Sequence, residues 1–266
     1  MIVTLLSDFG LRDSYVAEMK AAILEVCSDA VLIDITHEVE RYNIRMGAYL
    51  LARGARVSPK GTIHLAVVDP GVGSSRRPII IEGERAHFIG PDNGLLILAA
   101  REQGMKHVYK IEKPAYLREQ IFDTFHGRDI FAPVAGHLAA GVKPSNFGPE
   151  VFDYQVPAFS EAEVSERSII GEVIHIDSFG NVVTNITAKH LSRGGIKLNS
   201  KVKVAVGDGG SERMQLLRTY SNVTAGFFLA VIGSGGFLEV SINQGDAAGR
   251  LKAKASKKIK ITPVED

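Results

Sequence analysis

Asp69 and Arg76 stand seven residues apart, separated by Pro70-Gly71-Val72-Gly73-Ser74-Ser75. Proline fixes φ and glycine tolerates φ > 0, so this string is a tight loop with a carboxylate at one end and a guanidinium at the other. A carboxylate held by a neighbouring cation can accept a hydrogen bond, or a proton, from a water nucleophile. A second polar cluster, Thr124-Phe125-His126-Gly127-Arg128-Asp129, sets His126 beside a glycine ahead of an amphipathic helix. There ring nitrogens can face a cleft and backbone amides can point at a ligand. Asp8 ends the first apolar run, before Phe9-Gly10, where α/β proteins often hold a ribose. Each residue also has a plain structural reading. Asp before Pro-Gly is a good turn former, one His among eight is commonly packed or solvated, and Asp8 suits a turn ahead of a helix. Arg77 is adjacent to Arg76, which leaves open which arginine meets Asp69.

Strand ends must position these side chains. Residues 65–68 form an apolar, mostly branched run that reads as a buried strand, and residues 78–81 open another. Further strands are predicted at 2–6, 30–35, 87–90 and 107–111. Helical spacing covers 16–26, 44–57, 95–100 and 129–140, the last with Pro133 near its start, and Asp13-Ser14 suits an N-cap. Strands alternating with helices predict a Rossmann-like α/β domain with a largely parallel sheet over residues 1–145. The texture then changes. Residues 146–165, with Gly148, Pro149 and Pro157 and no period, read as a linker. Short strands at 169–176, 182–186, 202–206, 214–220, 227–232 and 237–242 predict a small C-terminal β-barrel over 166–266. One short helix, around 188–192, is expected to interrupt them. The basic tail, 252–260, reads as a solvated edge strand.

A chain of 266 residues with 45% hydrophobic content can bury one large core or two smaller ones. Its net charge of +1 argues against a dedicated nucleic-acid surface. Cys27 is the single cysteine, so no internal disulfide and no oxidising compartment are implied. The N-terminus lacks a basic segment and meets Asp8 too early for a signal peptide. No apolar run approaches the ~20 residues that span a bilayer, and a cytoplasmic protein without a membrane partner is expected. Several catalytic patterns are missing from the sequence. Gly71-Val72-Gly73 lacks the third glycine and the helix of a dinucleotide fingerprint. There is no Gly-Lys-Ser/Thr phosphate loop and no Gly-x-Ser-x-Gly elbow. No close His or Cys pair offers zinc spacing, so no metal is expected.

Two strings of the C-terminal half, 177–185 and 233–245, are loops entering strands that mix small and polar residues. Alone, either reads as a hairpin turn. Taken in order, Ser7-Asp8-Phe9-Gly10, Val68-Asp69-Pro70-Gly71-Val72-Gly73 with Arg76-Arg77, Gly90-Pro91-Asp92-Asn93-Gly94, Thr124 to Asp129, Asp177-Ser178-Phe179-Gly180-Asn181 and Ser234 to Asn243 resemble the S-adenosylmethionine (SAM) hydrolases. These are also called SAM hydroxide adenosyltransferases and are related to the SAM-dependent fluorinase and chlorinase. The likeness spans nearly the whole chain.

The resemblance implies an N-terminal α/β domain, a C-terminal β-barrel, and a homotrimer with sites between subunits. It implies that SAM and water give adenosine and methionine, with no metal and no cofactor. The family's Asp–Arg–His triad falls on Asp69, Arg76 and His126, the seven-residue spacing favouring Arg76. Asp8 would hold the ribose hydroxyls and Phe179 would lie against adenine. Asn181, Ile242 and Asn243 would contact the adenine edge, while Asp177, Ser234 and Glu239 would hold the methionine end. Asp69 and His126 are expected to accept hydrogen bonds from the attacking water. A halogenase-like relative and a SAM- or adenosine-binding protein without turnover are the alternatives. The first would lack this triad, and the second would carry a broken one.

Overall fold

The computed structural model describes residues 1–156 and 161–264. Contacts divide the chain into two compact units, Met1–Ala158 and Phe159–Asp266. The first unit runs β1 (Ile2–Ser7), α1 (Tyr15–Val26), β2 (Val31–Thr36), α2 (Ile44–Val57), β3 (Thr62–Val67), β4 (Pro78–Gly83), β5 (Ala86–Pro91), α3 (Ile97–Glu102), β6 (Met105–Lys110) and α4 (Ala132–Ala139). Its sheet has the order β2-β1-β3-β5-β4-β6. The pairings β1–β2, β1–β3 and β3–β5 are parallel, and β4 is antiparallel to both neighbours. Every residue of β3 is buried, as a central strand covered on both faces requires. Ile63, Leu65 and Val67 share one core with Val3, Leu5, Met19, Ile23, Phe131 and Ala135.

Two local expectations are revised. Ser14 precedes α1 but makes no capping bond; its Oγ donates to Glu18 Oε1 at 2.6 Å instead. The helix expected from 129 opens as a π-helical turn, Gly127–Phe131, and becomes α-helical at Ala132. Pro133 sits in the first turn of α4, where its missing N–H breaks no ladder bond. Within the stretch read as a linker, Phe147 is fully buried and Glu150 bridges Tyr109.

The second unit contains β7 (Glu163–Val164), β8 (Ile169–Ile176), β9 (Val182–Thr187), α5 (Ala188–Arg193), β10 (Lys201–Val206), β11 (Ser211–Leu217), β12 (Phe228–Ile232), β13 (Phe237–Ile242), α6 (Ala247–Leu251) and β14 (Lys258–Pro263). The order β14-β10-β11-β12-β13-β9-β8 closes through a β14–β8 pairing, and β7 adds to β8. The basic tail is therefore no edge strand. Its lysines alternate outward while Ile259 and Ile261 are buried in the barrel, and both its ladders are filled. A second helix, α6, joins α5; Asp246 caps it by accepting from Gly249 N.

On the other face of the first sheet, Thr4 and His64 are register partners on β1 and β3. Thr4 Oγ1 lies 2.7 Å from His64 Nδ1. Burial pushes the imidazole down to about 4 from its ordinary 6.5. The unfolded chain binds a proton at this ring that the folded chain refuses until the lower pH, so stability falls as pH drops through that window. The loss from this one group is at most about 3 kcal/mol. In denaturant titrations at pH 7 and pH 4, His64→Asn, which is neutral throughout, should lose less stability than the parent. Equal losses would refute the assignment.

Candidate active site

The loop after β3 is built by its own small residues. Val72 N donates to Asp69 O at 3.2 Å and Ser74 N to Gly71 O at 3.1 Å. Ser74 Oγ also donates to Gly71 O, at 2.6 Å. Gly73 has φ +76°, and a Cβ there would stand 2.8 Å from Asp123 O. This loop therefore lies against the segment that leads into the π-helical turn, and only glycine serves at the contact.

That approach brings three of the expected residues together. Arg76 Nε donates to Asp69 Oδ1 at 3.0 Å and Nη2 donates to Oδ2, a bidentate pair whose side chains are 9% and 5% exposed. Nη2 also stands 2.7 Å from His126 Nδ1. The guanidinium carbon lies 5.3 Å from the ring centre of Phe131. One π-helical turn thus places an imidazole at its N-cap and an aromatic face at its last residue, in keeping with the frequency of such turns at functional sites. Arg76 Nη1 is buried with no partner among the described residues. A donor in that state costs about 1–3 kcal/mol, an expense more at home in a ligand site than in a scaffold.

A guanidinium only donates, so His126 Nδ1 must accept and the proton of the neutral ring sits on Nε2. Burial first, and Arg76 second, hold the His126 imidazole below its ordinary range. This revises the expectation that His126 accepts from a water: with Nδ1 taken, Nε2–H is a donor, and Asp69 is the acceptor of the three. Arg77 belongs to a different cluster. Its Nε and Nη2 donate to Asp92 Oδ2 at 3.0 and 2.7 Å, and Nη1 donates to Asp153 Oδ1 at 2.6 Å.

Asp8, just past β1, accepts at Oδ2 from Tyr42 N at 2.9 Å. In the second unit, Asp177 Oδ1 accepts from the amides of Phe179 and Asn181, and Oδ2 accepts from Asn181 Nδ2 at 2.8 Å. This loop leaves Phe179 78% exposed. Asn243 Nδ2 donates to Val223 O at 2.8 Å, next to buried Ile242. Val240 pairs with Val182 and Phe237 with Thr187, so exposed Ser234 lies on the turn at the far end of β13 from the Asp177–Asn181 loop. Asp177 therefore stands with Asn181 and not with Ser234. Glu239, buried mid-strand, accepts from Tyr220 Oη at 2.8 Å, and a Cβ on Gly233 would collide with its carboxylate. Phe131 and Tyr220 were not singled out from the sequence, since neither lies in a polar string.

Family models described as the SAM hydroxide adenosyltransferase N-terminal and C-terminal domains match residues 3–148 and 171–260. The chain belongs to the SAM hydroxide adenosyltransferase family. A Thermus thermophilus protein named (R)-S-adenosyl-L-methionine hydrolase is 36% identical, covering 97% of this chain and 98% of its own. A protein named fluorinase from Nocardia brasiliensis is 27% identical over 98% of this chain and 97% of its own. A crystal structure of an uncharacterised conserved protein from Thermotoga maritima, 37% identical, covers 98% of this chain and 100% of its own with a TM-score of 0.93.

Ring NMR of this SAM hydroxide adenosyltransferase family member should show His126 titrating below 6.5. Arg76→Gln should move the midpoint only part of the way up, because burial is the larger cause. An unmoved midpoint in that variant would disprove the Arg76–His126 coupling.

Proposed function

We propose that the protein is an enzyme that hydrolyses SAM to adenosine and methionine by attack of water at ribose C5′. The observation that carries this is the Asp69–Arg76–His126 cluster on two loops of the first unit. The sulfonium leaves as a neutral thioether, so the leaving group needs no acid. The C–O bond to C5′ forms as the C5′–S bond breaks, and the water's proton passes to Asp69 and then to solvent. His126 Nε2–H donates to the water oxygen and orients it, and Arg76 fixes both partners. Asp8 holds the ribose hydroxyls. Phe179, Asn181, Ile242 and Asn243 meet adenine, and Ser234 and Glu239 take the amino-acid end, Asp177 acting through the Asn181 loop. Holding reactants in line is worth several kcal/mol, on the order of 7–11 at most. The proposed reaction uses no metal or cofactor.

A homotrimer with substrate sites at subunit interfaces in the cytoplasm completes the reading. Native mass spectrometry reporting a monomer would count against that part.

The halogenase reading is disfavoured by the carboxylate of Asp69, a like-charge neighbour for any halide, and by the closer identity to the relative named a hydrolase. The binding-only reading is disfavoured by an intact triad. Incubation with SAM should release adenosine and methionine, unchanged by added chloride or fluoride. Asp69→Asn should lower kcat by about 10²–10⁴ with KM within a few-fold. Intact SAM after long incubation, or a 5′-halogenated product, would overturn the assignment.

A further inference from the structure

Ser7, His37, Asp34 and Lys20 form a continuous hydrogen-bonded chain from the surface to the end of β1. Lys20 Nζ donates to Asp34 Oδ2 at 2.7 Å, and His37 Nε2 lies 3.1 Å from Asp34 Oδ1. His37 Nδ1 lies 2.7 Å from Ser7 Oγ, and Phe9 N donates to the same oxygen at 3.3 Å. With a neutral ring the directions follow: a carboxylate can only accept, so Nε2 of the imidazole carries the proton, Nδ1 accepts from the Ser7 hydroxyl, and that oxygen accepts from Phe9 N. The order Ser–His–Asp is that of a hydrolytic triad, yet Ser7 is fully buried and no substrate reaches it.

The chain instead encloses Asp8. His37 O accepts from Gly10 N at 2.8 Å, and Ser7 O accepts from Val39 N at 3.3 Å. Residues 7 and 10 are thus tied directly to the segment after β2, and Phe9 is tied to Ser7. Asp8, between them, is held at Oδ2 by the amide of Tyr42, a residue at φ +66°. Its Oδ1 has no partner among the described residues.

We propose that His37 is a positioning residue that aims Asp8 at the substrate's vicinal ribose hydroxyls. The inference rests on the SAM-hydrolysing reading and deepens it. A bidentate grip on a diol needs a carboxylate fixed in orientation, and a short polar loop would otherwise sample many rotamers. His37 supplies that fixity from behind, its ring through the strand-end hydroxyl of Ser7 and its carbonyl through Gly10 N, without touching substrate. Among the described residues the His37 ring bonds to Ser7 and Asp34 and to none of Asp69, Arg76 and His126, so binding and chemistry should separate.

Steady-state kinetics on His37→Ala should show KM for SAM raised about tenfold with kcat within about twofold, the split expected when substrate binding is lost uniformly. In an Asp8→Ala background the same change should raise KM less than about twofold, because coupled residues are non-additive. His37→Asn, whose amide can still meet Ser7, should recover part of the loss, which general destabilisation would not produce. Should His37→Ala fail to fold, Ser7→Ala removes the same link with a smaller change and carries the test. A folded His37→Ala with parental KM, or equal effects with and without Asp8, would overturn the proposal. Absence of SAM turnover in the parent protein would instead remove the functional reading beneath it.

Discussion

The Asp69–Arg76 pair is the interaction on which the candidate site of the first unit depends. Both side chains are more than nine-tenths buried, and removing one partner of such a pair strands the other, at a cost of about 3–5 kcal/mol. The guanidinium has five N–H bonds. One on Nε and one on Nη2 meet Asp69, the other on Nη2 meets His126, and the two on Nη1 meet nothing among the described residues. A Lys could not satisfy this pattern, having no planar fork. The remaining requirements follow. Gly73 lets the loop lie against Asp123, the π-helical turn rotates His126 and Phe131 onto one guanidinium, and the parallel pairing of β3 between β1 and β5 fixes where the loop begins.

Buried polar side chains along the first sheet serve two different ends. Thr4 and His64 form a closed pair inside the protein, with Nε2 of the ring left unpartnered, and their consequence is energetic: a ring that resists protonation. Ser7 and His37 lie at the strand's end, where every polar atom of the relay finds a partner. A satisfied network of this kind rigidifies, so its consequence is geometric. The strand interior bears on stability, while the strand end bears on how Asp8 is held.

The sequence carried the architecture well where chemistry and period coincide. The Pro-Gly string after an apolar run marked the β3 loop, and seven-residue spacing favoured Arg76. It could not exclude Arg77, because consecutive side chains of an extended backbone point opposite ways and only tertiary contact tells which meets Asp69. The lysine–isoleucine alternation of β14 is the same whether one ladder or two are filled, so the barrel was legible but the place of this strand inside it, and not at an edge, was not. The helix α6, with Gly249 in its five residues, has too weak a propensity to register. Phe131 lies five residues beyond His126, a spacing that matches a π-turn and not the 3.6-residue period that was being sought. Asp177 and Ser234 were grouped by role, yet strand register places them at opposite ends of β13.

The tautomer of His126 was the least legible feature and has the widest chemical consequence. With Nδ1 committed to a permanent cation, the imidazole is held neutral, and the cluster of carboxylate, guanidinium and imidazole sums to no net charge. On the proposed reaction this matters because the substrate arrives as a sulfonium cation. A protonated His126 would place two cations beside Asp69, repelling the substrate and removing the lone pair that Arg76 binds. A neutral ring instead offers one N–H to a water oxygen while Asp69 keeps its capacity to accept a proton. The guanidinium that braces Asp69 thus also helps burial hold its second partner neutral, and so sets the direction of hydrogen bonding there.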